Sequence, residues 1–205
     1  MAYVKASERR GQLVRAARAV LLREGVGGAT LRVIATEADV PLGTLHYVFP
    51  SKNDLLRAVM EEVMEEIAGV LDDVAQVGSG LEHFLRNGLD KYWIREVVGN
   101  PELQLVQQEL TSYALRTPGL ESLARWQHDR YSRIVAARAQ EAAATAGEIC
   151  AVPFDTLSRV VVATVLGLIQ QFLADPDEAR SARDVLATAD MIVKLADPRP
   201  ARADG

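Results

Sequence analysis

Apolar residues recur at helical spacing along nearly the whole chain. Between Ser7 and Glu24 they fall at Leu13, Ala16, Ala17, Val20 and Leu21, which line one face of a helix. Ser7 suits the N-cap of that helix, and Gly25 suits its end, where a left-handed residue is needed. Thr30 can cap a second, short helix whose stripe is Leu31, Ile34, Ala35 and Ala38. Asp39 and Val40 turn the chain, and Pro41 fits the first turn of a third helix, where its missing N–H is no loss. In that helix Leu45, Val48 and Phe49 point inward. "SKND" after Pro50 reads as a capping box, with Ser51 as cap and Asp54 three residues on. The long helix it opens carries Glu61, Glu62, Glu65 and Glu66 as a solvated face.

Beyond "VGSG" (77–80) the pattern predicts five more helices, over about 81–98, 101–115, 118–146, 153–174 and 177–196. Gly99-Asn100-Pro101, Thr117-Pro118-Gly119, Gly147 to Pro153 and Asp175-Pro176 separate them. Asn87-Gly88 has the composition of a hairpin turn, but it interrupts the helical stripe Leu81, Leu85, Leu89, Tyr92 and Trp93, so a strand is rejected there. The tail "DPRPARADG" is expected to fray. The fold class is therefore all-α with about nine helices. A three-helix head, residues 1–52, precedes a larger helical domain, residues 53–205.

Composition is that of an ordinary globular protein, and the net charge of −5 by itself argues against a polyanion partner. Its distribution reverses that inference. Residues 1–52 carry eight Lys/Arg against four Asp/Glu, a net of +4, and the remainder carry fifteen against twenty-four, a net of −9. A single cysteine, Cys150 among apolar neighbours, permits no internal disulfide. The N-terminal segment "MAYVKASERRGQ" lacks the apolar core of a signal peptide. The longest apolar run, 160–169 between Arg159 and Gln170, is too short to span a bilayer, so a soluble intracellular protein with no membrane partner is expected.

The third helix raises a chemical question. It leaves Gly43, Thr44, His46 and Tyr47 outside on an element that ends at Pro50. Two short helices joined by "ADVPLG" and braced by a preceding one form a helix-turn-helix, whose second helix lies in the major groove of DNA. Glycine there costs about 1 kcal/mol relative to alanine, a cost that makes sense if a sugar-phosphate strand must approach the backbone. Thr44, His46 and Tyr47 supply donors for phosphate oxygens. Lys52 and the amide groups opening the fourth helix offer a second anion site.

At these residues the sequence becomes specific. "TLRVIATEADVPLGTLHYVFPSKNDLL" resembles the DNA-binding segment of the TetR family of bacterial transcriptional repressors. The resemblance covers about residues 7–58. It rests on Thr30, Ile34-Ala35, Val40, Gly43-Thr44-Leu45, Tyr47, Phe49-Pro50 and Ser51-Lys52. It implies that Thr30, Thr44, His46, Tyr47 and Lys52 contact the phosphate backbone, and that Arg32, Pro41, Leu42 and Gly43 face or adjoin base edges. Leu42 stands where relatives often carry Lys or Arg, and Val48 where an aromatic or histidine is common. Leucine cannot read guanine by a bidentate contact. It either meets thymine methyls with Pro41 or packs into the head with Leu45 and Phe49. His46 is either a phosphate donor or a merely exposed histidine.

In the larger domain, "LSRVVVATVLGLIQQFL" is apolar nearly all round and needs burial on more than one side. The stripe Ala182, Val185, Leu186, Ala189, Ile192 and Val193 can pair with it. Two such helices from each of two subunits would make a four-helix homodimer interface, the family's usual arrangement, and the dimer would read a pseudo-palindromic operator. Trp93, Glu96, Tyr113, Gln127 and Tyr131 are the candidate contacts to a partly apolar small-molecule effector. Each has a competing role as ordinary core; Gln127 in its apolar stripe is either an internal hydrogen-bond partner or a polar anchor. The resemblance implies a regulator whose ligand alters the separation of its heads. Repression relieved by ligand is the expected sign, and a minority of relatives act in the opposite sense.

No cofactor or metal is expected. A di-iron bundle needs Glu-x-x-His pairs, and none of His46, His83 and His128 has glutamate three residues earlier. Neither HExxH, CxxC, a nucleophile elbow nor a Walker motif occurs, which argues against an enzyme. A helical adaptor that binds only protein is the other alternative; it would have no affinity for duplex DNA.

Overall fold

The computed structural model describes residues 6–74 and 79–201. Over these the chain is helical in the order α1 (Ala6–Gly28), α2 (Leu31–Glu37), α3 (Leu42–Val48), α4 (Lys52–Asp72), α5 (Gly80–Tyr92), a π-helical segment (Trp93–Val98), α6 (Pro101–Arg116), α7 (Glu121–Thr145), α8 (Phe154–Ala174) and α9 (Glu178–Ala196). The all-α class and the nine α-helices among the described residues agree with the hydrophobic pattern.

Local chemistry explains most of the boundaries. Gly25 breaks α1 with φ 67° and ψ −178°, so the turn "VGG" continues from a true kink rather than from the first helix. Thr30 caps α2, its hydroxyl accepting the N–H of Val33 at 3.3 Å. Ser51 and Asp54 close the capping box in both directions. The Ser51 N–H donates to the Asp54 carboxylate at 3.2 Å, and the Asp54 N–H donates to the Ser51 hydroxyl at 3.2 Å. Asp177 caps α9 by accepting the N–H of Arg180 at 2.8 Å.

Several expectations need correction. Ser7 lies inside α1, not at its cap, since the helix already includes Ala6. Pro41 precedes α3 with an extended ψ of 140°, and the helix proper starts at Leu42. The helix foreseen over 81–98 is two elements, because the backbone changes to π geometry at Trp93. Part of the tail is paired: Glu148–Ile149 and Arg199–Pro200 form a short antiparallel ladder. Proline tolerates this because a two-strand edge needs no donor from it. Residues 202–205, part of the "VGSG" break and the start of the N-terminal segment lie outside the described residues. The apolar run at 160–169 belongs to a 21-residue helix, so α8 is by length and composition long enough to cross a bilayer.

The chain forms two compact units, residues up to 63 with 105–127, and 64–104 with 128 onward. In the first, Leu13, Ala17, Val20, Leu21, Ile34, Leu45, Phe49, Leu55 and Leu56 form a sealed core joined by Leu110 and Ala114 of α6. In the second, α9 packs on both α5 and α8. Its buried stripe is Val185, Ala189, Ile192 and Ala196. Of α8 only Leu157, Ser158, Val165, Ile169 and Phe172 are buried.

Candidate nucleic-acid interface

α3 is seven residues long, and its two faces differ completely. Leu45 is wholly buried and Phe49, its C-cap, is 1% exposed, whereas Tyr47 is 89% exposed. An apolar anchor on each turn fixes the helix to the core, and the phenol is carried outward with nothing in the subunit to cover it. His46 and Gly43 are also exposed, and Thr44 is half-buried. A Cβ added at Gly43 would meet no atom within 4 Å, and its backbone is right-handed, so the subunit itself does not require glycine here. Pro41 is exposed beside this face. Leu42 is half-buried against the head core, the second of the two roles open to it.

α2 presents a matching edge. Thr30 and Arg32 are exposed, and an open depression beside them is lined by Arg23, Arg32, Val33, Thr36 and Glu37. Arg23 bonds Glu24 and Glu37, at 3.1 and 3.0 Å, which raises its already high pKa. Its charge is thereby locally balanced, and that of Arg32 is left as the outward one in the depression.

The angle between α2 and α3 is held by contacts the hydrophobic pattern could not show. Gln12 of α1 donates to the carbonyl of Ala38 at 2.7 Å, closing the end of α2. Arg10 lies over the Phe49 ring at 4.8 Å. Neither pairing has a local sequence signal, since each joins residues more than twenty-five positions apart.

Lys52 is placed differently from the others. Its ammonium donates to the carbonyl of Val26 at 2.9 Å and sits 5.4 Å from the centre of the Tyr113 ring. Burial lowers its pKa. The N–H of the same Val26 donates to the carboxylate of Glu109 at 3.0 Å. The kink after α1 is therefore gripped from both sides, by α4 through Lys52 and by α6 through Glu109. The anion site expected at the start of α4 is reduced as well, because the Ser51–Asp54 box occupies two of its amide groups and places a carboxylate there.

The effector candidates divide between the units. Tyr113 is half-buried beneath Lys52, and Gln127, 3% exposed, accepts the Thr111 hydroxyl at 2.9 Å; both are in the first unit. Trp93 and Glu96 are buried, and Tyr131 half-buried, in the second.

Comparison with known proteins agrees with this geometry. Residues 13–59 match the family model described as bacterial regulatory proteins, tetR family. The chain is similar to the nicotine-responsive transcriptional repressor HdnoR of Paenarthrobacter nicotinovorans, 27% identical over 180 residues, 84% of this chain and 88% of the relative. It is also similar to the multidrug binding protein EbrR, crystallised with imidazole: TM-score 0.67, 27% identity, 96% of this chain and 99% of that one. A TetR-family regulator from Rhodococcus sp. shares the fold at TM-score 0.76 and 21% identity, covering 91% of this chain and 98% of that one. With its helix-turn-helix head, all-helical architecture and relatives of nearly equal length, the chain belongs to the TetR family of transcriptional regulators.

Proposed function

We propose that the protein is a dimeric repressor that binds a pseudo-palindromic operator through the exposed face of α3 and leaves it when a small molecule binds. The observation that carries this reading is the pairing of a fully exposed Tyr47 with a fully buried Leu45 on one short helix. A phenol held rigidly in solvent has no role in the subunit and a clear one against phosphate oxygens. Thr30, Thr44, His46 and Tyr47 are assigned to the backbone, and Arg32, Pro41 and Gly43 to the groove. Leu42 contributes only the edge that core packing leaves uncovered. Lys52 supports the surface from behind by fixing the Val26 carbonyl.

Dimerisation is assigned to α8 and α9. The apolar surface of α8 that the subunit leaves uncovered is too large to stay in water alone. Leu186 and Met191 of α9 are 60% and 51% exposed. A second copy covers both helices by two-fold symmetry. A small-molecule effector is supported by the relatives: one is named as nicotine-responsive, and another was crystallised with imidazole and with proflavin. The effector acts through the difference in its affinity for DNA-competent and incompetent states.

The test is a titration of the purified protein with duplex from upstream of its own gene at several salt concentrations. Specific binding that weakens steeply with salt is expected. Tyr47→Ala weakens specific and non-specific binding alike. Equal affinity for all duplexes, or none, refutes the reading and favours a protein-binding adaptor.

A further inference from the structure

The π-helical segment Trp93–Val98 is an irregularity the rest of the body lacks among its described residues, and π geometry is costly enough to occur mostly where function uses it. Here it buries Trp93, Glu96 and Val97 together. Trp93 is accounted for: its indole N–H donates to the Ser181 hydroxyl at 3.2 Å, and its ring meets Phe172 edge-to-face at 5.8 Å. Glu96 is not a packing residue. Its side chain brings a carboxyl group to a position only 7% exposed, where a charge is costly unless the surroundings answer it.

Those surroundings are aromatic and polar. Tyr92, the last residue of α5, shares its environment with Glu96, Tyr131 and Gln104, and the Gln104 side chain hydrogen-bonds its phenol. The Gln104 amide also donates to the Glu96 carbonyl at 2.7 Å, which pins the π turn. Burial first, then Tyr131 and Glu96, push the Tyr92 phenol well above its ordinary pKa, so it stays neutral and able to donate. The four groups come from α5, the π segment, α6 and α7, and all lie in the second unit.

We propose that Glu96, flanked by the rings of Tyr92 and Tyr131, is the recognition point for an organic cation, a protonated amine or a charged nitrogen heteroaromatic. A carboxylate in low-dielectric surroundings attracts such a charge far more strongly than it would in water, and phenol rings offer their negative faces to the same charge. Gln104 and the neutral Tyr92 hydroxyl orient what enters. Anionic effectors are disfavoured at the same point. The inference rests on the reading that this body binds the effector, and it adds the charge class of that molecule.

The experiment compares two tricyclic probes of nearly the same outline, 9-aminoacridine, a cation at neutral pH, and acridone, which is uncharged. Both are titrated by fluorescence into the full-length protein without DNA. The wild type should bind the cation at least about tenfold tighter. Glu96→Gln should abolish that preference while keeping the affinity for acridone. Equal binding of both probes by the wild type, no binding of either, or a preference that survives in folded Glu96→Gln overturns the inference. Should Glu96→Gln fail to fold, Tyr131→Leu carries the test. Loss of the preference then supports the site, and an unchanged preference overturns it. Duplex binding by the ligand-free protein is measured alongside. A cation preference without specific duplex binding refutes the regulatory reading alone, and specific duplex binding without a cation preference refutes the cation site alone.

Discussion

Replacing Gly43 by alanine separates what the subunit needs from what DNA needs. Gly43 sits in α3 with an ordinary right-handed backbone, is exposed, and has open space where a methyl would project. The folded subunit therefore accepts alanine without strain. It gains up to about 1 kcal/mol from helix propensity and from the smaller entropy of the unfolded chain. For a chain of this length that corresponds to a rise in Tm of about 2–4 °C. On DNA the sign reverses. If the α3 backbone closes on a sugar-phosphate strand at this residue, the methyl holds that strand off and each head loses a contact of about 1–1.5 kcal/mol. Two heads on one operator lose about 2–3 kcal/mol, a drop of roughly 30- to 150-fold in affinity. The assays are thermal unfolding and operator titration on the same preparation. A variant that is more stable and binds duplex as tightly as wild type refutes the close-approach argument, and with it the reason offered for glycine at this position.

Three other outcomes test separate parts of the structure. Gly25→Ala should destabilise the head by about 1–2 kcal/mol in urea unfolding, because Gly25 has φ 67° and an added Cβ would come within 2.9 Å of the Glu109 carboxylate. Equal stability would show that the kink relaxes freely. Ala163→Glu, on the uncovered side of α8, should convert the dimer to monomer in analytical ultracentrifugation and abolish cooperative operator binding; a dimer that persists would move the interface elsewhere. Asp177 is held below its ordinary pKa, first by the hydrogen bond it accepts from the Arg180 N–H. Its folded pKa is thus lower than its unfolded one, and its stabilisation is fully present above the ordinary aspartate range. It is lost as pH falls through the lowered value, so Asp177→Asn should flatten the acid side of the stability profile. An unchanged acid limb would show that the cap contributes nothing.

The sequence by itself determined the elements and the kind of surface they make. Leu13 to Leu21, Ile34 to Ala38 and Leu45 to Phe49 repeat at helical spacing, and Thr30, Ser51 and Asp177 announce their caps, because these interactions join residues within one turn of each other. The polar side of α3 was legible for the same reason: once Leu45 and Phe49 are fixed as the inner face, Gly43, His46 and Tyr47 have nowhere to go but outward. The tertiary structure alone decided the interactions that span long stretches of chain. It turned Lys52 toward Val26 and Tyr113, brought Glu109 against the N–H of Val26, and paired Arg199–Pro200 with Glu148–Ile149. It also changed the helix beginning near residue 80 to π geometry at Trp93, seating Glu96 beside Tyr92 and Tyr131. Hydrophobic periodicity records only which face of a helix is dry, and a lysine or glutamate that leaves the solvated face for a distant backbone group writes no period into the sequence.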